Sequence, residues 1–177
     1  DGTAVKTPGD IVFPYIQKNL DDIITVEDEE LIVNFLDVVE NHKMVVENSG
    51  LLTVAALKHL NCKDKRVVSI LSGGNMDIIT MSSVVQHGLI ERGRVFTVSV
   101  QLPDRPGELV NVANVIAQLK GNVIRLEHNQ FVSINRNAAV ELKITLEAFG
   151  HEHKQQIVDA LKEKGYDPKL ENPTSLY

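Results

Sequence analysis

Two stretches of the chain alternate apolar and polar residues with period two. Phe96, Val98, Val100 and Leu102 alternate with Val95, Thr97, Ser99 and Gln101. Val140, Leu142, Ile144 and Leu146 alternate with Glu141, Lys143, Thr145 and Glu147. Such alternation predicts β-strands with one buried face. Between them Leu109, Val112, Ala113, Ile116 and Ala117 share one helical stripe, and residues 123–128 read as a further strand. After Gly150 a second helix carries Ile157, Val158 and Leu161, and a short last strand is expected over 169–171. The resulting order is β-α-β-β-α-β, the split βαβ arrangement with two helices on one face of an antiparallel sheet.

The first half has a different rhythm. Pro8-Gly9-Asp10 predicts a helix start before 11–20, with Pro14 early enough to be tolerated. Residues 22–26 read as a short strand. Glu27-Asp28-Glu29-Glu30 then places negative charge on the first turn of a helix bearing Leu31, Phe35, Val38 and Val39. Ser49-Gly50 precedes an apolar helix over 51–60, whose near-continuous hydrophobicity implies burial on most sides. A β-branched run over 66–71 leads through Ser72-Gly73-Gly74-Asn75 into a helix over 76–91 that stops at Gly93. Strand, glycine turn and helix make the unit of an α/β sheet. One or two such strands cannot form that sheet alone, so much of its body is expected outside this chain. The expected organisation is an α/β segment over 1–93 followed by an α+β domain over 94–177.

Composition narrows the classes of function. A chain of 177 residues with 43% hydrophobic content suits one large domain or two small ones. Aromatics are only 5% and Trp is absent, which disfavours surfaces that stack bases. Residues 1–93 carry 14 acidic and 8 basic groups, and 94–177 carry 10 of each, so there is no basic footprint for nucleic acid. No apolar run approaches the ~20 residues of a membrane span. The single cysteine, Cys62, forms no internal disulfide and fits a reducing, cytoplasmic setting. The opening Asp1-Gly2-Thr3 reads as a chain already under way, a fragment or a processed product.

Candidate chemistry lies at two turns. The first is Leu102-Pro103-Asp104-Arg105-Pro106-Gly107-Glu108, where a strand meets a helix. Such a corner leaves backbone N–H groups free to hold a small anion such as an amino-acid carboxylate. Asn122 follows Gly107 by fifteen residues and offers an amide that both donates and accepts. These residues resemble an ACT domain, a small regulatory module that binds amino acids at a dimer interface. The resemblance implies that Leu102, Asp104, Gly107, Glu108 and Asn122 line an effector site, with isoleucine or valine as the leading ligands. Asp104 stands where a neutral polar group is usual, and its carboxylate favours an effector's ammonium.

The second turn is Leu71-Ser72-Gly73-Gly74-Asn75. Together with Asp1-Gly2-Thr3-Ala4-Val5-Lys6 and Val45-Val46-Glu47-Asn48-Ser49-Gly50, it resembles, in order and spacing, the end of threonine ammonia-lyase (threonine dehydratase) catalytic domains. Those are pyridoxal-phosphate lyases of the β-family. The resemblance implies that Ser72 hydrogen-bonds the pyridine nitrogen of the cofactor, with Gly73 and Glu47 near it. Asn48-Ser49 departs from the family's usual Gly-Ala. The two resemblances match, in order, a threonine ammonia-lyase ending in an ACT domain: the remnant of a three-layer α/β catalytic domain, then a ferredoxin-like βαββαβ module. The implied parent reaction is L-threonine to 2-oxobutanoate plus ammonia, in isoleucine biosynthesis or threonine catabolism. This portion would provide allosteric regulation and homo-oligomerisation. The family's Ser-x-Lys-x-Arg-Gly-Ala segment does not occur here, and Lys6 has no matching context, so the chain alone is expected neither to hold the cofactor nor to catalyse.

Two further readings stay beside this one. An ACT-bearing dimer without a catalytic partner would use the same corner. RNA binding uses the same βαββαβ layout, but Thr97, Ser99, Lys143 and Thr145 supply no aromatic platform. His151-x-His153 and His128 lack the cysteine or carboxylate framework of a metal site and read as surface histidines. Glu27–Glu30 likewise reads as a solvated helix start.

Overall fold

In the computed structural model, residues 3, 5–129 and 140–171 are described. The chain divides into two compact units, Asp1–Gly88 and Leu89–Tyr177.

In the first unit, Pro14 sits in the opening turn of α1 (Phe13–Asn19), where its missing N–H costs nothing. Helix α2 (Asp28–Asp37) begins with three acidic residues on its positive end. The Glu30 carboxylate reaches back to accept the Glu27 N–H at 3.2 Å. A π-helical turn, Val38–His42, follows and ends at Lys43 in a left-handed conformation. Helix α3 (Asn48–Ala55) continues into a 3-10 turn, Ala56–His59. Helix α4 (Ile78–Glu91) carries Val84 and Gly88 on its buried side. Leu31, Phe35, Leu36, Val38, Val46, Leu51, Ala55 and Val84 form the core.

Several expectations fail in this unit for one reason. Neither 22–26 nor 66–71 is a strand; neither run joins a ladder among the described residues. β-branched sequence favours extended geometry, but a strand also needs a neighbour to pair with. Val68 and Ile70 stand 89% and 72% exposed, so the run lacks a cover as well as a partner. The expected burial of the 51–60 helix is likewise partial: only Gly50, Leu51 and Ala55 of α3 are buried.

The second unit follows its pattern closely. Strands β1 (Val95–Leu102), β2 (Asn122–Asn129), β3 (Val140–Glu147) and β4 (Lys169–Glu171) form one antiparallel sheet in the order β2-β3-β1-β4. Helices α5 (Glu108–Gln118) and α6 (His151–Glu163) make the two crossovers. Phe96, Val98, Val100, Leu102, Leu142, Ile144 and Leu146 pack with Val112, Val115, Ile116, Ile157, Val158 and Leu161 in a single core. The unit begins inside α4, before Gly93, because that helix end is tied to the sheet. The His151 ring nitrogen Nε2 donates to the Glu91 carbonyl at 2.8 Å, and the Ala148 N–H donates to Arg94 at 2.8 Å.

The other sheet face is polar yet largely closed. Thr97, Ser99 and Thr145 are all under 9% exposed. Their hydroxyls are spent within the sheet, Thr97 with Thr145 at 2.9 Å and Ser99 on Glu141 at 2.9 Å. Lys143 on β3 pairs with Glu171 on β4 at 3.0 Å, and β1 lies between those strands, so the pair crosses over it. Glu171 also holds the Lys143 ammonium above its ordinary pKa, with Glu141 contributing. This face presents ion pairs and satisfied hydroxyls.

Candidate functional site: a strand-to-helix corner and a glycine loop

The corner forms where β1 runs out of apolar alternation. Leu102 is the last buried residue of the strand, and Pro103 cannot continue a ladder. The Arg105 N–H closes a tight turn on the Pro103 carbonyl at 2.8 Å. Gly107 is the N-cap of α5 at φ 97° and ψ −18°, and it offers no side chain to cap the helix. Among the described residues, the first-turn N–H groups of Leu109 and Val110 therefore have no acceptor. Leu102, Pro103, Asp104, Arg105, Pro106, Gly107, Glu108 and Leu109 line a cavity of about 310 Å³, closed on another side by His128 from β2.

One expected member, Asn122, stands apart from this cavity. Asn122 pairs with Glu147, which also pairs with Val95, so it lies level with the start of β1. The corner follows the other end of that strand, roughly 23 Å away at ~3.3 Å per residue. The Asn122 amide donates instead to the Glu147 carboxylate at 3.1 Å. One chain thus does not bring Gly107 and Asn122 together; a fifteen-residue step that contains a whole helix returns at the far end of the sheet. Glu108 borders the cavity, but its carboxylate hydrogen-bonds the Tyr166 hydroxyl. Burial and that carboxylate raise the Tyr166 pKa. The residue missed was His128, although a polar residue in an apolar alternating set signals it in the sequence.

At the glycine loop the structure brings Glu47, Ser72 and Gly73 together. The Glu47 N–H donates to the Gly73 carbonyl at 3.3 Å, and Ser49 Oγ donates to Glu47 Oε1 at 2.5 Å. Gly73 is left-handed at φ 78°, and a Cβ there would lie 2.4 Å from the Glu47 carboxyl carbon. A Cβ on Gly50 would lie 1.7 Å from the Ser72 carbonyl oxygen. Gly50 is demanded by backbone approach, and Gly73 by its left-handed φ beside the Glu47 side chain. Ser72 itself is exposed. Beside the loop a cleft of about 510 Å³ is lined by Glu47, Asn48, Ser49, Asn75, Met76, Asp77 and Thr80. Asp77 caps α4 by accepting the Ile79 and Thr80 N–H groups at 3.0 Å, and the Thr80 hydroxyl also donates to it. Those bonds, Thr80's first, hold its carboxyl below the ordinary value. Among the described residues there is no His, Cys, Asp or Glu cluster suited to a metal.

No protein-family model matches the chain. Curated proteins do. An L-threonine ammonia-lyase of Geobacter sulfurreducens is 37% identical over 168 residues, 94% of this chain and 42% of its own length. The chain belongs to the threonine ammonia-lyase family, in its C-terminal part. The L-threonine ammonia-lyase of Thermotoga maritima is 33% identical over 96% of the chain and 43% of its own length. The biosynthetic L-threonine dehydratase of Pasteurella multocida is 29% identical over 94% of the chain and 32% of its own length. The chain thus spans about two fifths of the length of the family members it resembles most in these comparisons. Among solved structures, a prephenate dehydratase of Streptococcus mutans is similar over 43% of the chain and 40% of its own, with a TM-score of 0.37 and 18% identity. No helix among the described residues is long and apolar enough to cross a membrane.

Proposed function

We propose that the chain is the regulatory C-terminal portion of a threonine ammonia-lyase: an end segment of the catalytic domain over 1–93, then an ACT module over 94–177. The module would bind an amino-acid effector and join copies of the protein. The observation that carries this reading is the left-handed Gly107 corner at the end of β1, with uncapped N–H groups beside an apolar-walled cavity. Those N–H groups suit a carboxylate. Asp104 suits an ammonium, and Leu102, Pro103, Pro106 and Leu109 suit an aliphatic side chain, so isoleucine or valine fits best.

The distance of Asn122 from the corner makes the sensor a two-chain device in this reading. Strand β2 is an eight-residue edge, paired on one side only among the described residues. Val123, Ile124 and Leu126 stand about 40% exposed on it. A long apolar edge is a template for pairing. Two-fold antiparallel pairing of β2 with its copy would set Asn122 of one chain beside the Asn129 end of the other, where the corner lies. An effector held there would shift a population between two arrangements of the pair, provided it binds them with different affinity.

In the first unit, Ser72, Gly73 and Glu47 would form one wall of a pyridoxal-phosphate site. The close-packed glycines and the exposed neutral hydroxyl fit the edge of a planar ring. When bound in the parent enzyme, the cofactor would supply the electron sink for converting L-threonine to 2-oxobutanoate and ammonia. Ser72 would leave the ring nitrogen largely unprotonated, since a hydroxyl carries no charge to stabilise its protonated form. The unpaired runs at 22–26 and 66–71 support membership in a larger sheet and disfavour the reading as a free-standing dimer. Isothermal titration of the chain with isoleucine and valine tests the sensor. Binding that Gly107→Val weakens is expected, and no binding by any amino acid removes the claim.

A further inference from the structure

The core-facing side of the sheet carries Phe96, Val98, Val100 and Leu102 on β1, and Leu142, Ile144 and Leu146 on β3. Register puts Val123, Leu126 and His128 of β2 on the same side, opposite Leu146, Ile144 and Leu142. His128 is therefore a polar side chain in an otherwise apolar set, and it occupies the position that borders the corner cavity. The ring is exposed, so it bears no desolvation penalty there and is free to take a polar partner. Among the described residues it has none: no hydrogen bond or ion pair engages either ring nitrogen. The ring is exposed at the rim, with a donor and an acceptor unspent.

We propose that His128 is a direct ligand contact of the corner, using its ring nitrogens to hold the polar end of a small aliphatic α-amino acid. This rests on the effector reading above. Leu102, Leu109, Pro103 and Pro106 surround the ligand's apolar end, and Asp104 takes its ammonium. Beside Asp104, Arg105 and Glu108, the imidazole adds to the cavity wall a ring with no hydrogen-bond partner among the described residues.

The test is titration of the full chain, its His128→Phe variant and its His128→Gln variant with isoleucine and valine, with ¹⁵N spectra of the imidazoles. His128→Phe keeps a flat ring without nitrogen and should weaken binding by about tenfold or more, the worth of a hydrogen bond to a charged group. His128→Gln keeps a donor and an acceptor and should recover most of the affinity. The His128 ring resonances should move on saturation, which a merely structural residue would not show. If the unsubstituted chain binds an amino acid while His128→Phe binds equally and the ring signals stay fixed, this inference falls and the sensor reading stands. If the unsubstituted chain binds no amino acid, both fall.

Discussion

Substitution of Gly107 separates backbone geometry from ligand contact at the corner. A Cβ built on Gly107 meets nothing within 4 Å, so a side chain there encounters no clash. The whole penalty is conformational, because φ 97° lies beyond the left-handed well that L-residues tolerate. Strain of this kind costs about 1–3 kcal/mol. Removing glycine's freedom from the unfolded chain offsets about 0.4–1 kcal/mol. The net for Gly107→Ala is about 1–2 kcal/mol, with Asn at or below the low end and β-branched Val at the high end. For a unit the size of Leu89–Tyr177, each kcal/mol moves Tm by about 4–8 °C. Gly107→Ala should therefore melt about 4–16 °C early.

The assay is thermal melting of the full chain and the three variants, followed by titration with isoleucine at a temperature where all are folded. Stability should fall in the order Asn, Ala, Val, and affinity should fall in the same order as the first-turn N–H groups lose their orientation. Three variants within about 0.5 kcal/mol of the parent would refute the strained turn, since surface changes without a mechanism fall in that range. Lowered melting with unchanged affinity would refute the corner as the ligand site while leaving the turn geometry intact.

Three other substitutions probe the frame around the site. His153 Nε2 donates to the Leu119 carbonyl at 2.7 Å, its Nδ1 accepts the Phe149 N–H at 3.0 Å, and its ring stacks on Phe149 at 4.7 Å. His153→Leu should cost about 2–3 kcal/mol in chemical denaturation, from about 1 per stranded group plus the stack, and His153→Gln should recover part of it. Leu142 is fully buried, so Leu142→Ala should cost about 2–5 kcal/mol in the same measurement. The Glu30 carboxyl is held at about 2 by hydrogen bonds from Lys58 and then His59. Its folded value lies below its unfolded one, so its contribution is complete above the ordinary carboxylate range and is lost as pH falls toward about 2. Acid melts should show Glu30→Gln losing less stability than the parent in that window, and identical slopes would refute the pairing.

Legibility followed how locally each element is determined. Among the described residues of 94–177, β1, β3 and both helices are visible in the pattern because each buries its own apolar face within that stretch, whereas β2 and β4 stay largely exposed. Asn122 lies at the far end of the sheet from Gly107 within one chain, and spacing cannot show this because only the register says which end of a sheet a strand enters. Glu108 lines the cavity, and its link to Tyr166, 58 positions later, could not be read from spacing. His128 was visible as an interruption in an apolar period, but its importance depends on the cavity beside it. At the glycine loop, Ser72 and Glu47 are 25 positions apart; Gly50 admits the Ser72 carbonyl, and Gly73 turns left-handed beside the Glu47 side chain.

The β-branched segments show how partner supply decides between strand and extended chain. Residues 95–102 and 66–71 have similar local preference, yet the first forms a strand and the second does not. β1 finds β3 on one side and β4 on the other, so its backbone groups are paired and its apolar face is covered. The 66–71 run meets α3 through side chains, with the Thr53 hydroxyl donating to the Ile70 carbonyl at 2.9 Å and the Ser69 hydroxyl to Thr53 at 3.4 Å. Those bonds hold one side of an extended segment and leave a ladder face open. Ile70 and Val68 project from it, as Ile23 does from 22–26. Large apolar side chains beside unpaired backbone are costly in water and gain most from a neighbouring strand. Among the described residues the same deficit, on a smaller scale, marks β2 in the second unit: one paired edge, one open edge, apolar residues along it. In both units one physical rule holds: apolar side chains beside unpaired backbone mark where a further strand would be accepted.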